Sequence, residues 1–150
     1  MKVCDLDWTK AEGLNQPVLS KLQPQSLCIT TQPHTDLWQR SYYGFQNDNA
    51  PALLIQSVAN FTFTTRVLFD YRARFDQAGV LIYIDSDHWF KASIEFENDE
   101  LSRLGSVVTN YGYSDWATTD ISTVHAAWYR LSRRGADFLI ESSFDGVVFN

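Results

Sequence analysis

The chain has 150 residues, enough for a sizeable core, and its 45% hydrophobic and 20% charged content is that of an ordinary globular protein. A formal net charge of −6 argues against a nucleic-acid backbone as partner, which demands a basic footprint, and against anionic membranes. No apolar run approaches a membrane span, and the opening MKVCDLDW lacks the apolar stretch of a secretory leader, so a reducing cytoplasm is the expected location.

Helical periodicity is nearly absent; a weak signal for a short helical turn lies at Thr9–Asn15. Strand patterns recur instead, over Ser26–Thr30, Ala52–Ser57, Phe61–Tyr71, Ala78–Asp85, Trp89–Glu97, Leu101–Tyr111, Ala127–Arg134 and Asp137–Ser143. Polar turn chemistry separates them: a loop at Asn47–Pro51, tight reversals at Asp85–Asp87 and Asn98–Glu100, and a hairpin at Arg134–Asp137. Phe61, Phe63, Val67 and Phe69 share one face of a half-buried strand. Asp145-Gly146 reads as a further turn, after which Val147–Phe149 opens another strand. No repeat, linker or low-complexity tract interrupts the chain. The expectation is therefore one all-β domain over residues 1–150, with two stacked antiparallel sheets.

Cys4 and Cys28 are too few for a disulfide framework and lack metal-site spacing. Cys28, between Leu27 and Ile29, is expected to be a buried small hydrophobe. Spacing leaves a Cys4–Cys28 bridge open.

The segment Phe75–Glu97 carries the most information. Side chains alternate across a strand. Ala78, Val80, Ile82 and Ile84 therefore share an oily face with Phe90, Ala92, Ile94 and Phe96 of the neighbouring strand. The opposite face carries Gly79, Leu81, Tyr83, Trp89, Lys91, Ser93 and Glu95. Val107 and Thr109 share a face of the next strand, which leads into Ser114-Asp115-Trp116. An indole, an ammonium and a carboxylate displayed together form a candidate binding surface. The bland alternative is an ordinary ion pair between Lys91 and Glu95, with Trp89 packing the sheet.

Several motifs in order extend the reading: Thr35-Asp-Leu-Trp-Gln-Arg-Ser-Tyr-Tyr-Gly44, Asp76-Gln-Ala-Gly79, Asp87-His-Trp-Phe-Lys-Ala-Ser-Ile-Glu95, Gly105-Ser-Val-Val-Thr109, Ser114-Asp-Trp116 and Glu141-Ser-Ser-Phe-Asp-Gly146. Together they resemble the concanavalin A-like family of uncharacterised proteins that includes the fungal regulator-of-enolase protein. They also resemble the C-terminal sandwich of some β-xylosidases. The resemblance implies a two-sheet antiparallel jelly-roll sandwich of the lectin/glucanase type, with a convex and a concave sheet and no settled activity. It also implies further strands past the Asp145-Gly146 turn; without them, edge strands and apolar surface would be exposed, inviting association. Its polar cluster maps onto Trp38, Gln77, Trp89, Lys91, Glu95, Thr109, Ser114, Asp115 and Trp116. The strand pattern allows Arg130 and Glu141 further along the same sheet and leaves their facing open.

A sugar site needs an aromatic face for C–H stacking and a few directional polar groups for hydroxyls. Trp89 or Trp116 could supply the platform, with Gln77, Lys91, Glu95 and Asp115 as donors and acceptors. The leading expectation is a non-catalytic carbohydrate- or polyol-binding domain that needs no cofactor or metal. One alternative is a protein-interaction or regulatory module of carbon metabolism. Another is a glycoside hydrolase acting through Glu95, but the Glu-x-Asp-x-x-Glu pattern of sandwich glucanases is absent, and Glu97 is expected to point into solvent at its strand end. His34, His88 and His125 have no metal-ligand spacing, and Asp85 and Asp87 read as turn residues rather than a calcium site.

Overall fold

The computed structural model describes residues 6–150. Cys4, and with it the Cys4–Cys28 question, lies outside the described residues. The chain divides into two compact units, residues 1–58 and 59–150.

In the first unit a 3-10 turn, Trp8–Lys10, overlaps only the start of the short helical turn expected at Thr9–Asn15. Asp7 caps it, accepting from the Thr9 backbone, and the chain then extends at once. Six short strands follow: β1 (Ala11–Leu14), β2 (Leu19–Gln23), β3 (Ser26–Thr30), β4 (Leu37–Gln39), β5 (Gln46–Asp48) and β6 (Ala52–Ile55). They pair antiparallel as β1 with β6, β2 with β3 and β4 with β5. The Asn15 amide ties β1 to the β5–β6 connection by donating to the carbonyls of Asp48 and Ala50. Cys28 corrects its expectation. Strand β3 pairs only with β2, so Leu27 and Ile29 take the sheltered face while Cys28, on the other, is exposed.

The second unit has seven longer strands: β7 (Phe61–Leu68), β8 (Gln77–Asp85), β9 (His88–Phe96), β10 (Leu101–Asn110), β11 (Tyr113–Ser122), β12 (Ala126–Arg134) and β13 (Asp137–Ser143). They form two antiparallel sheets, β11-β10-β9-β8 and β13-β12-β7. Strand β7 ends at Leu68, short of the expected Tyr71, and β11 was not expected at all. The chain reverses into β11 over Tyr111-Gly112, both with positive φ (51° and 73°), as a two-residue hairpin loop of matching twist requires. Ten registered pairs then hold β11 to β10 although its own sequence is mostly polar.

The two sheets pack through the oily faces read from the alternation. Val80 and Ala92 meet Tyr129, with Phe63, Val67 and Ile140 around them. Ile94, Phe69 and Ala127 form a second cluster with Leu104, Ile121 and Tyr71. Ile94 and Ala127 are fully buried. A cleft of about 310 Å³ opens between the sheets, lined in part by Ala117 and Thr119 of β11 and Ile140 and Ser142 of β13. Past the Asp145 turn, Asn150 pairs with Ser142 through two backbone hydrogen bonds of 2.9 and 3.0 Å, so the chain returns along β13. Phe138, Leu139, Val147 and Val148 are exposed nearby.

Candidate functional site

The β8–β11 sheet has a second face, turned away from β7, β12 and β13. Its register stacks four cross-strand rows. The first is Gln77–Glu95–Arg103–Asp120, the second Gly79–Ser93–Gly105–Thr118, the third Leu81–Lys91–Val107–Trp116 and the fourth Tyr83–Trp89–Thr109–Ser114. Directly opposed residues in an antiparallel sheet share a face. Seven of the expected residues, Gln77, Trp89, Lys91, Glu95, Thr109, Ser114 and Trp116, are therefore together on one surface.

Asp115 does not join them. It opposes Val108 and takes the parity of Phe90, so it projects from the other face. Trp38 lies in the first unit, in β4, where its indole N–H donates to the Ser41 carbonyl at 3.0 Å. Arg130 and Glu141 also depart from expectation. They form a bidentate pair at 2.6–2.7 Å on the β13-β12-β7 sheet, not on the sheet of Trp89.

Burial divides the face into a packed end and an open end. Trp89 is only 3% exposed and its indole N–H is used by the Ser86 carbonyl, so no stacking platform is free there. Thr109 and Ser114 are buried and share a hydrogen bond of 2.6 Å. Lys91 Nζ lies 6.0 Å from the centre of the Trp89 ring. The open end holds the polar first row. The Gln77 amide donates to Glu95 at 3.1 Å and accepts from the Ser93 hydroxyl at 2.9 Å, so three polar groups are fixed in one orientation. Trp116 is half-buried, with the Arg103 guanidinium 5.7 Å from its ring centre.

Glu97 corrects another expectation. It is no solvent-facing strand end: its side chain is 6% exposed between Arg74 at 2.7 Å and Arg103 at 3.2 Å. Arg103 also approaches Asp120, at 3.9 Å. Sequence reasoning missed this ion cluster, because Arg74 and Arg103 come from a loop and a strand on either side of Glu97. Both carboxylate oxygens of Glu97 are thus turned to guanidiniums, Oε2 to Arg74 and Oε1 to Arg103.

One of the three histidines serves a local turn. His88 Nδ1 is 2.8 Å from Asp85 Oδ1, and that hydrogen bond, foremost, holds the Asp85 carboxyl below its ordinary range. The same oxygen also accepts from the Asp87 backbone. Among the described residues no three His, Cys, Asp or Glu side chains gather as metal ligands would. No helix among them is long and apolar enough to cross a membrane.

Fold and face together define an all-β protein of antiparallel sheets, one of them with a mixed polar and indole-bearing face turned away from its partner sheet. The chain belongs to the family described as Protein of unknown function (DUF1349), which it matches over residues 14–150. It is 38% identical over 105 residues to Regulation of enolase protein 1 of Saccharomyces cerevisiae (strain ATCC 204508 / S288c). That match covers 70% of this chain and 52% of the yeast protein, so the chain spans about half the length of that curated relative. It is also similar to a solved structure described as a functionally unknown protein from Saccharomyces cerevisiae. There the TM-score is 0.87 at 30% identity, covering 97% of this chain and 78% of the other.

Proposed function

We propose that this chain is a non-catalytic, cytoplasmic binding module with a jelly-roll, concanavalin A-like arrangement, and that it holds a carbohydrate or polyol on the outer face of β8–β11. One observation carries the reading: Trp116 leans over Gly105 beside the polar row Gln77–Glu95–Arg103–Asp120. An indole on the same sheet face as a row of donors and acceptors is the pairing a hydroxylated ring requires. Trp116 takes the platform role and Trp89 the packing role. Glu95, Gln77, Ser93 and Asp120 supply polar contacts. Lys91, Thr109 and Ser114 border the site, and Asp115 has no part in it.

The test is titration calorimetry of the whole chain against neutral and acidic mono- and oligosaccharides and polyols. Binding should be lost in Trp116→Ala and weakened at least tenfold in Glu95→Gln, with the far-ultraviolet circular dichroism unchanged. No heat from any ligand at millimolar concentration would sink the proposal.

The printed name of the yeast relative favours a second reading, a regulatory module that docks on a protein of carbon metabolism. Affinity purification from the native host, followed by size-exclusion chromatography of the purified pair, separates the two. A stoichiometric partner retained in the absence of sugar supports the second reading, and a monodisperse chain without one counts against it.

A further inference from the structure

We infer that the β4–β5 loop of the first unit, Arg40–Phe45, is a second carbohydrate platform, built from different residues than the sheet site. The loop is short and cross-braced. The Arg40 N–H donates to the Phe45 carbonyl at 2.8 Å and the Gly44 N–H to the Arg40 carbonyl at 2.9 Å. The Trp38 indole N–H pins the loop from below through the Ser41 carbonyl. On this frame stand three exposed aromatics: Tyr42 (93%), Tyr43 (52%) and Phe45 (44%). Their rings order one another. Tyr43 stacks on Phe45 with centres 5.4 Å apart, Tyr42 meets Tyr43 edge-on at 4.8 Å, and Trp38 meets Tyr43 edge-on at 5.4 Å. Tyr42 also holds a φ of 60°, a conformation side chains other than glycine rarely adopt, so the backbone accepts strain to hold this ring in water.

The size and chemistry of the patch select the occupant. Three rings at these exposures offer roughly 400 Å². A stable protein interface needs about 800 Å² per partner. Every exposed apolar residue of the loop is aromatic, with none of the aliphatic knobs that fill pockets in a partner, and its rim is Arg40, Ser41 and Gln46. Aromatic faces with phenolic and polar edges suit the C–H faces and hydroxyls of a linear pyranose chain, contacted over two or three sugar units. The pre-ordered loop leaves little side-chain entropy to lose on binding. Ligand class is shared with the proposed function, but no residue is, so the two sites stand or fall separately.

The test is nuclear magnetic resonance titration of the ¹⁵N-labelled chain with laminarihexaose, cellohexaose and maltohexaose. Saturable shifts should appear at amides 38–46 with at least one of them. Tyr42→Asn removes the ring and suits the positive φ, so it should fold and weaken those shifts at least tenfold. Tyr42→Phe keeps the ring and should stay within twofold of the wild type. Shifts confined to residues 77–120 would overturn the loop site and leave the sheet site standing. No shifts at 38–46 with any of the three sugars, or shifts undiminished in Tyr42→Asn, would also overturn it. So would concentration-dependent broadening of the loop signals without sugar, which would make the occupant a second copy of the chain.

Discussion

Trp116 and Gly105 are fitted to each other across β10 and β11: a β-carbon at residue 105 would lie 2.9 Å from the Trp116 indole nitrogen and 3.1 Å from the Ala117 carbonyl. The absence of a side chain at 105 is what lets the indole lean inward over the sheet. Gly105→Ala should push the ring outward at a cost of about 1–3 kcal/mol, the usual range for overpacking. Urea denaturation should show the loss, and Trp116 should become more accessible to acrylamide quenching. The same variant should also weaken sugar binding. Unchanged stability together with unchanged quenching would mean that the indole does not rest there in solution.

Glu97 joins Arg74 and Arg103 into one ion cluster, with its Oε1 and Arg103 Nε buried and lacking hydrogen-bond partners. Removing the charge leaves Arg103 short of a counter-ion. A fully buried broken pair costs about 3–5 kcal/mol. Arg74 is 62% exposed, so solvent screens its share, and about 2 kcal/mol is expected for Glu97→Gln. Denaturant midpoints of the wild type and Glu97→Gln measure it, and a midpoint raised by the substitution would contradict the assignment. Adding Arg103→Leu to Glu97→Gln should recover part of the loss, because the stranded guanidinium goes with it.

The β8–β9 hairpin was legible because both of its strands alternate cleanly and the turn between them is polar. That alone placed Trp89, Lys91 and Glu95 on one face. Strand β11 was not legible. Its inner positions are Asp115, Ala117, Thr119 and Ile121, of which only Ile121 is a large apolar residue, and it forms because β10 offers a long ladder. Without that strand the parity of Asp115 could not be read, so its place beside Trp116 rested on the family resemblance. The β4 and β5 strands are three residues each, too short for a period to register. Cys28 was misjudged for a related reason: an apolar run says that a strand exists, while a two-stranded hairpin buries only one of its faces. The Glu97 cluster depends on contacts across 23 and 6 positions, which no local pattern encodes.

Tyr71 links the core to alkaline pH. It stacks between Phe69 and Phe96, and its hydroxyl is buried with no hydrogen-bond partner. Burial raises its pKa from 10.0 to about 12. Tyr129, also buried, is shifted upward as well, first by burial and then by the charge Tyr71 would carry. A group whose folded pKa is raised contributes stability that is complete below the unfolded value. Stability should therefore hold up to about pH 10 and fall between pH 10 and 12 as the unfolded chain ionises first. Denaturant unfolding across that window should show the decline, and Tyr71→Phe should flatten it. An equal slope in both proteins would remove Tyr71 as the source.

The acid side is set at the turn after β13. One Asp145 oxygen accepts from the backbone N–H groups of Val147 and Val148 and from the Ser143 hydroxyl, at 2.7, 2.9 and 2.9 Å. Those bonds, the Val147 one first, hold the carboxyl below the ordinary value of an aspartate. A depressed folded pKa gives stability that is present above the unfolded value and lost as pH falls through the folded one. The turn should therefore keep its geometry at neutral pH and loosen only below about pH 4. It also aims Asn150 back at Ser142, so loosening should release that pairing. Hydrogen exchange at the Ser142, Val147 and Val148 amides should accelerate once the carboxyl is protonated, beyond the pH dependence of exchange itself. Asp145→Asn, which has no charge to lose, should exchange faster at neutral pH and show no such acid step, whereas an acid step that survived in Asp145→Asn would assign the transition to another carboxylate.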